Sequence, residues 1–389
     1  MKLKNRIFYA DKTLTILVLL LSFVSCVMVY STWSITTVVF GSNSALGVFG
    51  KQLVFLFASI IFYFAMMHIP YRRFKNFSKL LWIISVALLC IVFLFPPINY
   101  SKSWIPLPGF NFQPSEFAKI VLIFSIAAYY DKLITKEIKM DYINWIVKPF
   151  IMVFIPIALI IFQPDPGTAL IIMLFIFAMF FATGYKFRYI IKSLFKFTPF
   201  IIVMVFIFFI ANIFMDGALV NYVESSQSRM ISRLDYKEPC DDITGSGFQI
   251  CNSLIAINSG GLNGKGLGSS TQKYLYLPES HTDAIFAVTV EEHGFIKSVG
   301  ILIIYAIIIY KILLYARKTQ STFAMLTCVG IGFMYLTHIF VNIGGILNII
   351  PFTGVPLPFY SYGGTFSLLC FGALGVVQSV AIEVNREEG

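Results

Sequence analysis

The sequence predicts an all-α, polytopic membrane protein, with about ten transmembrane helices and one long extracytoplasmic loop before the eighth. Three observations carry this expectation. Hydrophobic residues make up 58% of the 389 and charged residues only 12%, against about 25% charge in an ordinary soluble domain. Apolar runs of roughly 20 residues, enough to cross ~30 Å of hydrocarbon, recur along the chain. Basic residues cluster in alternate connections between those runs. The same composition excludes a disordered chain, a collagen and a coiled coil. Six cysteines in 389 residues are too few for a disulfide scaffold.

Ten stretches read as spans: 13–31, 51–69, 80–98, 112–130, 148–164, 166–184, 198–215, 298–316, 322–345 and 363–383. Only Gln163-Pro164-Asp165-Pro166 separates the fifth from the sixth. The first is a retained span and not a cleaved signal, because its apolar run is too long and ends in Tyr30-Ser31-Thr32-Trp33. Lys2, Lys4, Arg6 and Lys12 precede it; Arg72, Arg73, Lys75 and Lys79 follow the second. Lys132, Lys136, Lys139 and Lys148 follow the fourth, and Lys186, Arg188, Lys192 and Lys196 the sixth. With Arg317, Lys318 and Arg386, nineteen of the 29 basic residues fall on one side. The positive-inside rule makes that side cytoplasmic, with both termini inside. The net charge of +10 therefore marks a cytoplasmic rim and no nucleic-acid partner. The whole chain, 1–389, reads as a single membrane domain.

Two regions break the pattern. Residues 216–283 form a long polar outer loop that holds eight of the nineteen acidic residues; loops this long are usually functional or disordered. Residues 344–364 are rich in Gly and Pro and are expected to fold back over the outer mouth of a cavity, since non-helical backbone at membrane depth needs protein or water around it. Gln113-Pro114-Ser115 opens the fourth span and Gln163-Pro164-Asp165 the sixth. Each places a positive helix end near the outer surface, which suits either an anion or plain capping by Ser or Asp.

The stretch 245–293 is the most informative. Lys265 and Lys273 on glycine-rich backbone suit a phosphate-bearing ligand. Glu279, His281 and Asp283 cluster where the loop enters the membrane. A carboxylate there can act as a general base, its pKa raised by desolvation; the alternative is that 279–283 caps a re-entrant helix. Zinc held by His281, Asp283, Glu291, Glu292 and His293 lacks the required spacing. A divalent Mg²⁺ or Mn²⁺ shared between Asp283 and a substrate phosphate fits better. Cys240 and Cys251 both lie in the outer loop, the oxidising side, and are expected to form a disulfide. Glu116 and Lys119, three residues apart in the fourth span, lie on one helix face. They form either a polar cavity wall or a structural ion pair. Trp104, near Lys102, is either a membrane-belt aromatic or a sugar-stacking residue.

These motifs together resemble the SEDS family (shape, elongation, division, sporulation; the FtsW/RodA/SpoVE group) over almost the whole chain. The resemblance rests on SWIPLPGFNFQPSEFAK (103–119), QPDPGTA (163–169), GGLNGKGLGSSTQKYLYLPESHTDAIFA (260–287), EEHG (291–294) and NIGGILNIIPFTGVPLPFYSYGG (342–364). It implies ten membrane helices and a peptidoglycan glycosyltransferase that polymerises lipid II on the outer face of the bacterial cytoplasmic membrane and releases undecaprenyl pyrophosphate. The family's essential outer-loop aspartate falls on Asp283, its fourth-helix Glu and Lys on Glu116 and Lys119, and its loop tryptophan on Trp104. Lys102, Gln113, Asp165, Arg229, Lys265, Lys273, Glu279, His281 and Ser361 are the further substrate-binding candidates.

GLGSSTQKYLYLPE is closer to the division and sporulation members, FtsW and SpoVE, than to RodA. Such members imply a class B penicillin-binding protein, a transpeptidase, as partner, together with other division- or elongation-complex membrane proteins. The sequence departs from the family where Ser103 stands for a usual arginine, Ala284 for phenylalanine, Pro166 for leucine and Gly345 for methionine. Two other functions remain open at this level: a lipid II flippase, which buried charges and broken helices also suit, and a scaffold that recruits the transpeptidase.

Overall fold

The structure, a computed structural model, describes residues 6, 8–33, 45–97, 101–138, 141, 143–184, 240, 247–274, 277 and 280–388. The apolar runs fold as helices because lipid offers backbone N–H and C=O groups no partner but the chain itself. In chain order the helices are α1 (Lys12–Trp33), α2 (Ala45–His68), α3 (Tyr71–Ile91), α4 (Pro114–Thr135) and α5 (Lys148–Phe162). They continue as α6 (Pro166–Ala182), α7 (Phe248–Gly260), α8 (Ile285–Lys318), α9 (Thr322–Ile346) and α10 (Gly364–Glu388). Among the described residues seven helical segments are long and apolar enough to cross a membrane, and the chain is an integral membrane protein. Two helices expected as spans fall outside that count. The 17-residue α6 is short, and α4 carries Glu116, Lys119, Asp131 and Lys132. The span expected at 198–215 lies outside the described residues.

Three departures from the expected boundaries have physical reasons. The helix expected from residue 80 starts at Tyr71, because Arg72, Arg73, Lys75 and Lys79 extend it beyond its apolar run. The helix expected from 298 starts at Ile285; its polar Thr289, Glu291 and Glu292 are buried in protein, where hydropathy is no guide. Within the loop read as polar, α7 forms and buries Ile250 and Ala256. A short antiparallel hairpin, β1 (Ile105–Leu107) and β2 (Phe110–Phe112), leads into α4, with Ile105 opposite Phe112.

α10 is buried over most of its length. It lies along α2, where Gly364, Gly372 and Gly375 face Phe55, Phe62 and the backbone at Tyr63; small residues allow such close helix contact in membranes. At the end of the bundle that carries both chain termini, Asp11 caps α1 through Leu14 N (3.1 Å) and accepts from Lys311 Nζ (3.0 Å) and Tyr315 Oη (2.7 Å). Arg72 pairs with Glu383 there. The opposite end holds the hairpin, the starts of α4, α6 and α8, and the loop 347–363.

Candidate active site

Helix α8 is broken at Gly294 (φ 82, ψ 170), which frees carbonyls on one side of the break and amides on the other. The turn after α7 fills the gap. Lys265 N donates to Glu291 O (2.9 Å) and Gly266 N to Glu292 O (3.0 Å), while Phe295 N donates to Gly261 O (2.9 Å) and Ile296 N to Leu262 O (3.2 Å). The two backbones touch. A Cβ on Gly260, Gly264 or Gly294 would lie 2.2–2.3 Å from main-chain atoms of the other strand, so only glycine permits this approach.

The splice brings the side chains of Glu291 and Glu292 to the two loop lysines. Glu291 accepts from Lys265 Nζ (2.7 Å), Thr271 N (3.0 Å) and Thr271 Oγ1 (2.8 Å). Glu292 accepts from Lys273 Nζ (2.7 Å) and from Ser31 Oγ of α1 (2.7 Å). Lys273 Nζ also donates to Gly268 O (2.8 Å) and Ser31 Oγ (2.9 Å), which uses its three protons. Its side chain is 0% exposed, against 31% for Lys265. The two lysines expected to face phosphate therefore hold the loop to α8, and only Lys265 keeps access to a ligand in this conformation.

Asp283 sits half-buried on the turn that precedes α8. Its position is set by backbone contacts from two elements. Asn342 Nδ2, near the end of α9, donates to both Asp283 O and Val355 O at 2.7 Å. Ser361 Oγ donates to Thr282 O (2.7 Å), and Tyr362 N to His281 O (3.0 Å). The His281 ring meets Trp33 edge-on at 5.1 Å and lies 5.4 Å from Tyr362. Gly354 (φ 69) passes so close that a Cβ there would lie 3.0 Å from Asp283 Oδ2. The loop 347–363 thus folds against the carboxylate.

The same loop reaches the charges of α4. Glu116 Oε1 accepts from Lys119 Nζ (2.9 Å), and Lys119 Nζ lies 2.8 Å from His338 Nε2 of α9. His338 Nδ1 is 3.1 Å from Pro356 O. A carbonyl oxygen only accepts, so Nδ1 carries the proton and Nε2 accepts from the ammonium. All three side chains are buried. Lys119 Nζ also lies 5.6 Å from the Phe366 ring centre, a cation–π distance. Asp165 caps α6 through Thr168 N (3.1 Å) and accepts from Gln113 Nε2 (3.1 Å), which ties the starts of α4 and α6. Gly167 in the first turn of α6 packs on Thr353 and Val355. Among the described residues no side chain caps α4 at Gln113 and Ser115 Oγ is buried without a hydrogen-bond partner, so the capping expected of Ser115 is not made.

The remaining candidates lie at the edges of this arrangement. Trp104 and Lys102 are half-buried just before the hairpin. Ser103, between them, is buried and donates to Gln163 O at 3.1 Å. Cys240 and Cys251 are bonded, with Cα atoms 5.0 Å apart. Glu279 and Arg229 lie outside the described residues. Among the described residues no three His, Cys, Asp or Glu side chains converge on a metal-sized site. A divalent cation at Asp283 would be held there together with a substrate phosphate. Sequence reasoning missed His338, Asn342 and Gly354. A signal existed for the first two: polar side chains one turn apart in an otherwise apolar span are costly unless they have buried partners.

The fold and site define a multi-span helical membrane protein with buried charge gathered beneath an irregular loop at one end. The chain belongs to the FtsW/RodA/SpoVE family, described as cell cycle proteins, whose profile matches residues 11–386. It is 34% identical to a Bacillus subtilis (strain 168) protein named probable peptidoglycan glycosyltransferase FtsW, over 99% of this chain and 94% of that one. It is 33% identical to stage V sporulation protein E of the same organism, over 95% and 96%. A solved chain from a peptidoglycan synthase complex shares the fold with a TM-score of 0.71, at 22% identity over 96% of this chain and 98% of that one.

Proposed function

We propose that this protein is a peptidoglycan glycosyltransferase that polymerises lipid II, with Asp283 as its general base. The relatives named above support the reaction class. The observation that carries the residue assignment is the half-buried Asp283, its backbone carbonyl held by Asn342 and its carboxylate lying against the Gly354 turn. In this scheme Asp283 accepts the proton of the acceptor's 4-hydroxyl. That oxygen bonds to the anomeric carbon of the donor, and the bond from this carbon to the pyrophosphate oxygen breaks. The pyrophosphate leaves as an anion and needs no protonation, so one carboxylate suffices, unlike the pair used by hydrolases. Cations must meet the charge that develops; Lys265 and Arg229 are assigned that role.

The Asp283 end faces outward and the termini face the cytoplasm in this reading, as the basic loops require. A class B transpeptidase is the proposed partner, in keeping with the complex from which the fold relative comes. Purified Asp283→Asn in detergent should fold normally and make no glycan from lipid II; full polymerisation would end the assignment. The buried Glu116–Lys119–His338 chain is the feature a flippase would use. Polymerisation by the wild-type chain in micelles, where nothing can be transported, separates the two functions.

A further inference from the structure

At the end of the bundle away from Asp283, a cavity of about 650 Å³ opens among α3, α4 and α5. That is within the size of ordinary small-molecule sites, roughly 300–1,000 Å³. Its charged lining is mostly basic. Lys75 and Lys79 stand one turn apart on α3, and Lys132 and Lys136 one turn apart at the end of α4, against a single carboxylate, Asp131. That carboxylate already has partners: Oδ1 accepts from Phe323 N at the start of α9 (3.0 Å), and Oδ2 pairs with Lys75. Lys79, Lys132 and Lys136 have no ion-pair partner among the described residues. Three uncompensated ammonium groups around one hollow favour an anion within it.

The rest of the wall mixes the apolar Ala128 and Met152 and the rings of Trp82 and Tyr129 with Asn76, Ser78, Ser125 and Thr135; Ser78 Oγ donates to Lys75 O (2.8 Å) and Ser125 Oγ to Ser78 O (3.2 Å). Trp82 Nε1 donates to Met152 O (3.0 Å) and Tyr129 Oη to Asn144 O (2.8 Å), so their polar tips are satisfied and their ring faces remain. One turn along α3 from the lining residues Asn76 and Lys79, Leu80 and Ile83 are exposed, a surface suited to acyl chains.

We infer that this cavity binds the headgroup of an anionic phospholipid from the leaflet on the basic side, with Lys79, Lys132 and Lys136 on its phosphate. Basic pockets between membrane helices are suited to such headgroups. A free phosphate shares the charge chemistry but leaves the adjoining apolar face without a role. Neither Asp283 nor the proposed reaction enters this inference.

The test uses the full chain in uncharged detergent micelles. Binding is read by native mass spectrometry and thermal shift with phosphatidylglycerol, phosphatidylcholine or inorganic phosphate added. The wild type should bind phosphatidylglycerol over phosphatidylcholine. The triple variant Lys79→Gln/Lys132→Gln/Lys136→Gln should bind it about 100-fold more weakly, at about fivefold per lysine, with its lipid-free thermal midpoint unchanged. The triple Arg variant at the same positions should retain binding. Equal affinity of the Gln variant and the wild type for phosphatidylglycerol would overturn the site. Equal binding of both lipids would do the same. Saturation by inorganic phosphate at the lipid's concentration would overturn the lipid assignment.

Discussion

Gly354→Ala isolates the contact between the loop and Asp283. Gly354 has φ 69, and a Cβ there would meet Asp283 Oδ2 at 3.0 Å. Two effects follow. The left-handed backbone costs a non-glycine residue about 1–2 kcal/mol. The contact, short of the ~3.5 Å at which such atoms are comfortable, must also open by ~0.5 Å, either by moving the carboxylate or by lifting the loop. A 1 Å misplacement in a catalytic site can cost about 100-fold, so half of it is worth about 10-fold in rate. Gly109 in the hairpin supplies the control: it has φ 89, and a Cβ there would have nothing within 4 Å. Gly109→Ala should therefore lose similar stability and keep its rate. The assay is initial-rate polymerisation of lipid II in micelles, beside thermal unfolding of both variants. Equal rates for Gly354→Ala and the wild type would refute the claim that this turn positions the base. Equal rate losses in the two variants would refute it too.

Other outcomes follow from the buried charges and the crosslink. Lys119→Met leaves Glu116 buried without its cation and should destabilise the protein by about 3–5 kcal/mol, while the double variant Glu116→Gln/Lys119→Met loses less; thermal unfolding in detergent measures both. Opening the Cys240–Cys251 bond, which spans a separation of 11 residues, by reduction or by Cys251→Ser should cost about 2–3 kcal/mol without changing the polymerisation rate well below the melting temperature. Burial alone would raise the pKa of Asp11, but hydrogen bonds from Tyr315 and Lys311 outweigh it and hold the group below its ordinary 3.8. A lowered folded pKa stabilises the protein above the unfolded value, and this contribution is lost as pH falls through the folded value. Melting temperature should therefore drop more steeply below about pH 4 in the wild type than in Asp11→Asn, which lacks the linkage.

Hydropathy made the course of most of the described helices legible, because lipid imposes a length that composition records. It could not mark where helices run on inside protein. The first two turns of α8 carry Thr289, Glu291 and Glu292, and the partners of the two glutamates lie 19 to 261 positions away in Lys265, Lys273 and Ser31. Lys273 on glycine-rich backbone resembles a phosphate ligand in sequence, because nothing local reveals the carboxylate that encloses it. Asp283 stood out through its motif. The residues that brace it, Asn342 and Gly354, are meaningful only once α9 and the following loop fold over it. His338 connects Lys119 to Pro356 across 219 and 18 positions, a relation no spacing rule anticipates.

The joint at Gly294 has a consequence for how this protein tolerates change. The long loop is fastened to the membrane helix by peptide groups and not by side chains alone. Most of its surface can therefore be rewritten by mutation without letting go, whereas one added methyl at Gly260, Gly264 or Gly294 acts as a wedge. A residue inserted between 262 and 265 would put the two pairs of rungs, 261–295 with 262–296 and 265–291 with 266–292, out of step with each other.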